Sequence, residues 1–180
     1  MSKKFQTATV IMFVVTLVCI LLLLDNGTAF FKWLSIVVGT VFFHMLVRVA
    51  VDFLIYFIPE ERFDWEGRFF TMTIREFAFY KKIRLRDWEE ALPGYYSDKY
   101  DTDQNPTEKV LFVMCEDEIK HWIFVGAALL VLVLGPILFG GFLFFLISSL
   151  ALMLYDTAIA LSLRYDRLRV RRISKLQRQK

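Results

Sequence analysis

The chain contains few of the residues on which most enzyme and metal-site signatures depend. It has two histidines and two cysteines among 180 residues, and the sequence contains no Cys-x-x-Cys pair. Cys19 lies in an apolar run and Cys115 among charges, which argues against a disulfide framework and leaves the redox compartment undetermined. No serine nucleophile elbow, glycine-rich phosphate loop or zinc-protease helix motif occurs. The common signatures of nucleotide binding, serine hydrolysis and zinc proteolysis are therefore absent.

Helix-breaking residues are also scarce, since the chain has only four prolines and eight glycines. No linker and no internal repeat interrupts it. The length suits one domain with modest extramembrane structure rather than two globular units. We therefore predict a single membrane domain covering residues 1–180.

Apolar residues, by contrast, are abundant: 57% of the chain is hydrophobic and 19 residues are phenylalanine. Runs near the length needed to cross a bilayer, about 20 residues, predict an all-α integral membrane protein with four transmembrane helices. The predicted spans are about 7–24, 30–58, 112–134 and 142–163, with an interfacial segment at 59–111 and a basic tail at 164–180. The first run is too long for the apolar region of a signal peptide, so we interpret it as a retained anchor.

Lysine and arginine flank both ends of the chain, which predicts a multi-pass protein of the cell membrane with both termini in the cytoplasm. An even number of spans agrees with this orientation. The aromatic-rich segment between the second and third helices then lies on the cytoplasmic side. At helical spacing its apolar residues form two faces: Phe70, Ile74 and Phe77, then Leu85, Trp88 and Leu92. These faces indicate either amphipathic helices on the membrane surface or the core of a small subdomain.

Charged residues inside the second apolar run are the strongest indication of a functional site. His44, Arg48 and Asp52 are four residues apart on one helical stripe. A charge near the bilayer centre costs about 2.5 kcal/mol or more, so it usually faces a wet cavity or an ionic partner. The stripe is either part of a site or an intramembrane network in which Arg48 and Asp52 pair.

A second polar motif, E-x-x-H-W, lies where the third helix, which begins near Pro106 or Thr107, enters the membrane. Glu118 is about one turn before His121 and could orient its imidazole, as a carboxylate does in a catalytic triad. His121 and Trp122 could instead form an interfacial anchor. Glu-x-x-His is also a ligand spacing of di-iron bundles, but the second such motif that those sites need is missing, so we predict no metal.

Four segments in this order carry a family resemblance. They are W-E-G-R-F-F from Trp65, R-L-R-D-W-E-E-A-L-P-G from Arg84, E-x-x-H-W from Glu118, and R-Y-D-R-L-R from Arg164. Together they resemble the glycosyl-4,4'-diaponeurosporenoate acyltransferases, small bacterial membrane proteins that esterify the sugar of a carotenoid glycoside with a fatty acyl group. The resemblance extends from about Pro59 to Arg169.

The resemblance implies a membrane acyltransferase that esterifies a hydroxyl of a glycosylated lipid, either a carotenoid glycoside or a related molecule. His121 is the expected general base with Glu118 as its partner, and His44 is the other candidate base. The C-terminal arginines could bind the phosphate of an acyl-coenzyme A or of a phospholipid donor. No bound cofactor is expected. The residues expected to contact substrate are Arg48, Asp52, Trp88, Trp122, Arg164, Tyr165, Arg167 and Arg169.

A second function class remains open, in which the chain is a non-catalytic membrane protein that binds lipid or assembles with a partner. Val113, Met114 and Glu116 stand where the family pattern has Glu, Thr and Arg, and divergence at polar positions favours this alternative. The expected partner is a membrane lipid or glycolipid, with a homo-oligomer or enzyme complex also open. No nucleic acid is expected, because the basic tail is accompanied by no nucleic-acid-binding motif.

Overall fold

The computed structural model describes residues 3–59, 63–64, 66–85, 87, 92 and 98–178, and within them all regular structure is helical. The described helices are α1 (Lys3–Asn26), α2 (Ala29–Tyr56), α3 (Ile74–Lys82), α4 (Thr107–Phe139) and α5 (Phe142–Arg178), with a 3₁₀ turn at Asp98–Tyr100. Four of them, α1, α2, α4 and α5, are long and apolar enough to cross a membrane. The predicted all-helical fold with four long apolar helices is confirmed.

The first two helices form an antiparallel hairpin with a very short turn. Gly27 adopts a positive φ of 59°, and the side chain of Thr28 caps α2 by accepting a hydrogen bond from the backbone N–H of Phe31. The rings of Phe13 and Phe42 lie 5.5 Å apart across the hairpin. The two helices therefore run side by side along their length.

The last two long helices form a second hairpin, which turns at Gly140 and Gly141. Both glycines have positive φ, 76° and 73°, a conformation that only glycine adopts readily. The ring of Trp33 in α2 lies against Gly141 and fills the place where a Cβ would be. This contact ties the start of α2 to the second hairpin.

Helix α4 continues past the predicted end of the third span at residue 134 and includes Pro136 before it ends at Phe139. Membrane helices tolerate proline because neighbouring helices and local adjustments satisfy the freed backbone groups. Helix α5 begins where the fourth span was predicted but extends to Arg178. Most of the predicted basic tail, 164–180, is therefore helical, in keeping with its arginines and leucines, which favour helix.

The surface of the bundle is apolar in the way that a lipid-facing protein requires. Large hydrophobic side chains such as Ile137 and Leu154 are about 70% or more exposed, at 74% and 70%. Exposed side chains of this kind on four spanning helices describe a multi-pass membrane protein.

The buried core lies mainly at one end of the bundle, where α2 ends, α4 begins and α5 ends. One cluster joins α2 to α4 through Val51, Ile55, Cys115 and Phe124. A second cluster joins α4 to α5; its buried members are Val110, Leu111, Met114, Ile159, Leu163 and Val170. This end of the bundle therefore fixes the register of three helices that carry the polar residues described below.

The segment between α2 and α4 contains one short helix with a well-formed start. The Thr73 backbone N–H donates to Glu76 (2.6 Å) and the Glu76 backbone N–H donates to the Thr73 hydroxyl (3.2 Å), which is a capping box. Phe70 precedes this helix and is buried, whereas Ile74 is 89% exposed. The prediction that Phe70, Ile74 and Phe77 share a face was wrong, because helical spacing does not apply before Thr73.

Gly135 of α4 lies directly against the ring of Phe145 of α5. A Cβ at this position would overlap the buried ring of Phe145. We expect Gly135→Val to destabilise the protein by about 1–3 kcal/mol, as overpacking generally does. Gly126→Val is the matched control, because an added Cβ there has no atom within 4 Å. Thermal unfolding in detergent tests this, and equal midpoints for the two variants would contradict it.

Candidate functional site

The end of the bundle where α2 ends, α4 begins and α5 ends is called the polar end below. Its central residue is Asp156, an acidic residue in the middle of α5 that is 1% exposed. Its two carboxylate oxygens accept hydrogen bonds from Nη2 of Arg48 at 2.9 and 2.8 Å. The same carboxylate lies 2.8 Å from Nδ1 of His121. Asp156 therefore brings together a cation from α2 and an imidazole from α4.

The pairing with Asp156 determines which imidazole nitrogen of His121 can react. A carboxylate held by a guanidinium only accepts hydrogen bonds, so Nδ1 of His121 must carry the proton and donate it. In the neutral imidazole, the other nitrogen, Nε2, then carries the free lone pair, and the hydrogen bond that the structure gives His121 is the one through Nδ1. This is the arrangement of a general base in Asp-His catalytic pairs.

Phe124 supports both side chains from the apolar side. The guanidinium of Arg48 lies 4.3 Å from the centre of the Phe124 ring, a cation–π contact. The same ring makes an edge contact with the imidazole of His121 at 5.6 Å. Together these contacts hold Arg48 and His121 at the boundary between the polar end and the apolar part of the bundle.

His44 lies one turn before Arg48 on α2. It is close enough to Arg48 and Asp156 to interact with both electrostatically. Its Nε2 is buried and has no hydrogen-bond partner among the described residues. A buried polar atom without a partner is costly, and such atoms are common where a ligand supplies the missing bond.

A second ion-pair cluster surrounds Glu118, which is 0% exposed. One oxygen accepts from Arg164 at 3.2 Å and the other from Arg167, which is itself 1% exposed. Arg164 also contacts Glu76 (3.3 Å), and Arg167 donates to the backbone carbonyl of Phe70 (3.4 Å). The cluster therefore ties the segment before α4 to α5.

Glu76 is outside the spanning helices and is ionised readily. The backbone N–H of Thr73 lowers the pKa of Glu76, with smaller contributions from the Thr73 hydroxyl and Arg164, while partial burial opposes the shift. Its charge is therefore available to Arg164 at physiological pH.

Residues 59–176, about two thirds of the chain, match the sequence profile of the glycosyl-4,4'-diaponeurosporenoate acyltransferases. The chain belongs to this family. Among the residues of this acyltransferase family member, Glu118, His121, Asp156 and Arg167 lie inside the matched range, whereas His44 and Arg48 precede it. No curated protein sequence and no solved structure matches the chain.

A third cluster in this family member surrounds Lys120 on α4. Its ammonium contacts Asp52 (3.0 Å), Glu116 (2.5 Å) and Asp117 (3.6 Å). Asp117 also accepts from Lys99 and from the Tyr100 hydroxyl, each at 2.6 Å. Burial and the neighbouring Asp117 carboxylate raise the pKa of Tyr100, so the phenol stays protonated and donates. These bonds attach the 3₁₀ turn to α4.

Two pairings predicted from the sequence need correction. Glu118 does not orient His121: both of its oxygens face arginines of α5, and Asp156 takes the Nδ1 contact. Arg48 and Asp52, which pair with each other in one of the two interpretations of the stripe, have ionic partners on other helices, Asp156 and Lys120. In both cases the partner lies on another helix, a contact that residue spacing along one helix does not show.

The remaining predicted substrate-binding residues lie at different places. Arg167 is too buried to reach a phosphate, whereas Arg169 is exposed. Tyr165 stacks on Phe77, with ring centres 6.0 Å apart. Trp122 is half-buried next to His121, and Trp88 lies outside the described residues. Of the predicted set, Arg48 is therefore the residue that directly joins the His121–Asp156 pair.

The sequence prediction did not include Asp156, although the same signal that identified Arg48 was present. Asp156 is the single charged residue in the apolar run from residue 142 to 163, and an isolated acidic residue in a membrane helix indicates a functional or paired position.

The Glu118–Arg167 pair allows a direct test of its structural role. We expect Glu118→Met to lower stability by about 3–5 kcal/mol, because Arg167 is left buried without a counter-charge. Glu118→Met combined with Arg167→Met should recover much of that loss, since Arg164 retains Glu76 as a partner.

The measurements are the thermal unfolding midpoint and the yield of monodisperse protein in detergent. Lys109→Met, an exposed position on the same helix, is the control and should leave both unchanged. A double variant no more stable than Glu118→Met would show that the unpaired arginine is not the cause.

Proposed function

We propose that this chain transfers a fatty acyl group to a hydroxyl of a glycosylated membrane lipid, with His121 as the general base. The observation that carries the proposal is the hydrogen bond between Asp156 and Nδ1 of His121, which leaves Nε2 to accept a proton. Membership of an acyltransferase family supports the reaction type. A carotenoid glycoside, or a related glycolipid, is the proposed acceptor.

In the proposed reaction, Nε2 of His121 takes the proton of the acceptor hydroxyl as its oxygen attacks the acyl carbonyl carbon. The new ester C–O bond forms, and the bond between the acyl carbon and the donor breaks. The leaving group, a thiolate from an acyl-coenzyme A or an alkoxide from a phospholipid, receives the proton from the imidazolium. The base is regenerated, and no further co-reactant is needed.

Three neighbours of His121 would assist this reaction. Asp156 acts as a positioning residue that fixes the tautomer and stabilises the imidazolium, and Arg48 holds the Asp156 carboxylate in place. His44 is the proposed hydrogen-bond donor to the acyl oxygen, since its buried Nε2 has no partner among the described residues. Such donors are strongest where water is excluded.

The alternative function is a non-catalytic membrane protein that binds lipid or assembles with a partner. Two positions that depart from the family pattern favour this alternative. Met114 is buried in the core between α4 and α5, and Glu116 pairs with Lys120. At both positions the family pattern has a different, polar residue, and the residue in this chain makes a structural contact. Formation of an acylated product distinguishes the two functions.

We expect His121→Ala to lower acylated product by about 10²–10⁴-fold, the usual contribution of a general base. Asp156→Asn should lower it similarly because Nδ1 can lose its proton, whereas Asp156→Glu, which keeps the charge, should retain more activity than Asp156→Asn. His44→Ala should reduce product less than His121→Ala.

The assay is lipid mass spectrometry of cells that make a glycosylated carotenoid or related glycolipid and express equal amounts of each variant in the membrane. The product is a glycolipid heavier by one acyl group. Asp103→Asn, an exposed carboxylate away from the site, should match wild type. Full product from monodisperse His121→Ala would disprove the assignment, and no product from wild type would favour the non-catalytic function.

We also propose that the protein lies in the cell membrane with both termini in the cytoplasm. The start of α1 and the end of α5 lie at the same end of the bundle, because each helix pair is antiparallel, and the lysines and arginines are concentrated there. The exposed Ile74 and Phe79 of α3 would then face the headgroup region from the cytoplasmic side.

After Lys180, we expect a fused fluorescent protein to be active and a fused phosphatase to be inactive. At Gly27, we expect the opposite result. The reason is the retention of basic flanking segments on the cytoplasmic side. Paired phosphatase and fluorescent-protein fusions measure both positions, and an external C-terminal reporter would reverse the proposed orientation.

A further inference from the structure

We propose that a groove between α1, α2 and α4 holds the acyl chain during transfer, and that Gly39 sets the longest chain it accepts. This inference rests on the proposed function and names the part of the substrate that the apolar half of the bundle recognises.

The groove has a volume of about 620 Å³, within the usual range for a small-molecule site. Its walls are almost entirely apolar. Its residues include Ile20 of α1, Ile36, Gly39 and Phe43 of α2, Leu134 of α4, and Phe145 of α5.

The length of the groove matches one acyl chain. It extends along α2 from Lys32 to Phe43, which at 1.5 Å per residue is about 16 Å. One leaflet of a bilayer is about 15 Å deep, half of the hydrocarbon core, and this is the depth that a lipid acyl chain fills. A groove of this length therefore accommodates a single fatty chain.

The lining and position of the groove favour a lipid chain as its occupant. Its surface is almost entirely apolar, and it lies among helices long and apolar enough to cross a membrane, where acyl chains are the surrounding medium.

The position of the groove connects it to the candidate site. Thr40, which lines the groove, lies one turn before His44 on the same face of α2, and Arg48 lies one turn further along that face. An acyl carbonyl placed beside His44 and His121 would therefore direct its chain along α2, away from the polar end. The other end is near Lys32, where Trp33 of α2 packs against Gly141 in the turn between α4 and α5.

Gly39 lies part-way along the groove and has space beside it. A Cβ at this position would meet only Thr16, at the ordinary contact distance of 4.0 Å. A Cβ can therefore be added without displacing the backbone, and because Gly39 lines the groove, a side chain continuing from it would extend into that space. Such a side chain would shorten the space that a chain entering from Phe43 can occupy.

The test compares Gly39→Leu with Gly126→Leu, a helical glycine outside the groove with no atom near its Cβ. Each variant is expressed in the cells described above, and the acyl-chain lengths in the product are measured by mass spectrometry. We expect Gly39→Leu to shift the product toward chains shorter by two or more carbons, and Gly126→Leu to keep the wild-type distribution. If Gly39→Leu is not monodisperse, Leu134→Phe narrows the groove from α4 and should give the same shift.

A binding measurement separates this inference from the proposed function. Purified wild-type protein in detergent is irradiated with a diazirine-labelled fatty acid, and the labelled peptides are identified. We expect labelling of α1, α2 and α4 at the groove, reduced at least fivefold in Gly39→Leu. Labelling there without any acyl transfer would support a fatty-chain site and overturn the acyltransferase proposal. Product formation with unchanged chain lengths and labelling elsewhere would overturn the groove and leave the acyltransferase proposal intact.

Discussion

The arrangement of the polar end depends on one buried ion pair, Glu118 with Arg167. Neither side chain is more than 1% exposed, so each charge requires the other, and breaking such a pair generally costs several kcal/mol. Because one partner is on α4 and the other on α5, the pair fixes how far the two helices can slide past each other. That register places His121 opposite Asp156. The same arginine holds the Phe70 carbonyl, so the segment before α4 is fixed at the same point.

The two ends of the bundle are held together in different ways. At the polar end, carboxylates join side chains from separate elements: Asp156 lies between the Arg48 guanidinium and the His121 imidazole, and Asp117 lies between the ammonium groups of Lys99 and Lys120. At the apolar end, close approach is achieved through glycines, where Gly135 meets Phe145 and Gly141 meets Trp33. Small residues at helix contacts are typical of membrane bundles, which lack a hydrophobic driving force between helices. Charge pairing thus specifies the site, and glycine packing shapes the groove beside it.

The sequence predicted the fold because its main determinant is local. The length of each apolar run defines a spanning helix, and Asn26-Gly27 and Gly140-Gly141 mark both turns. The candidate site was predicted only in part. His121 and Arg48 stand out as isolated polar residues, but their partners are decided by which side chains three helices bring together. Residue spacing predicts contacts only between neighbours on one helix, and for this reason Glu118 was predicted to be the partner of His121. Asp156 carried the same signal as Arg48, but its role became visible only once α5 was packed against α2 and α4.

During synthesis, Glu118 is made 46 residues before Arg164 and 49 before Arg167. Until α5 follows, α4 has a carboxylate whose arginine partners do not yet exist, and an unpaired charge is costly to bury. Packing of α4 and α5 as one hairpin avoids that cost, because Glu118 is then buried together with its arginines. The tight turn at Gly140-Gly141 suits this order of events, since it lets α5 fold back directly onto α4. The order of the acid and its arginines along the chain thus favours the two helices packing as a unit.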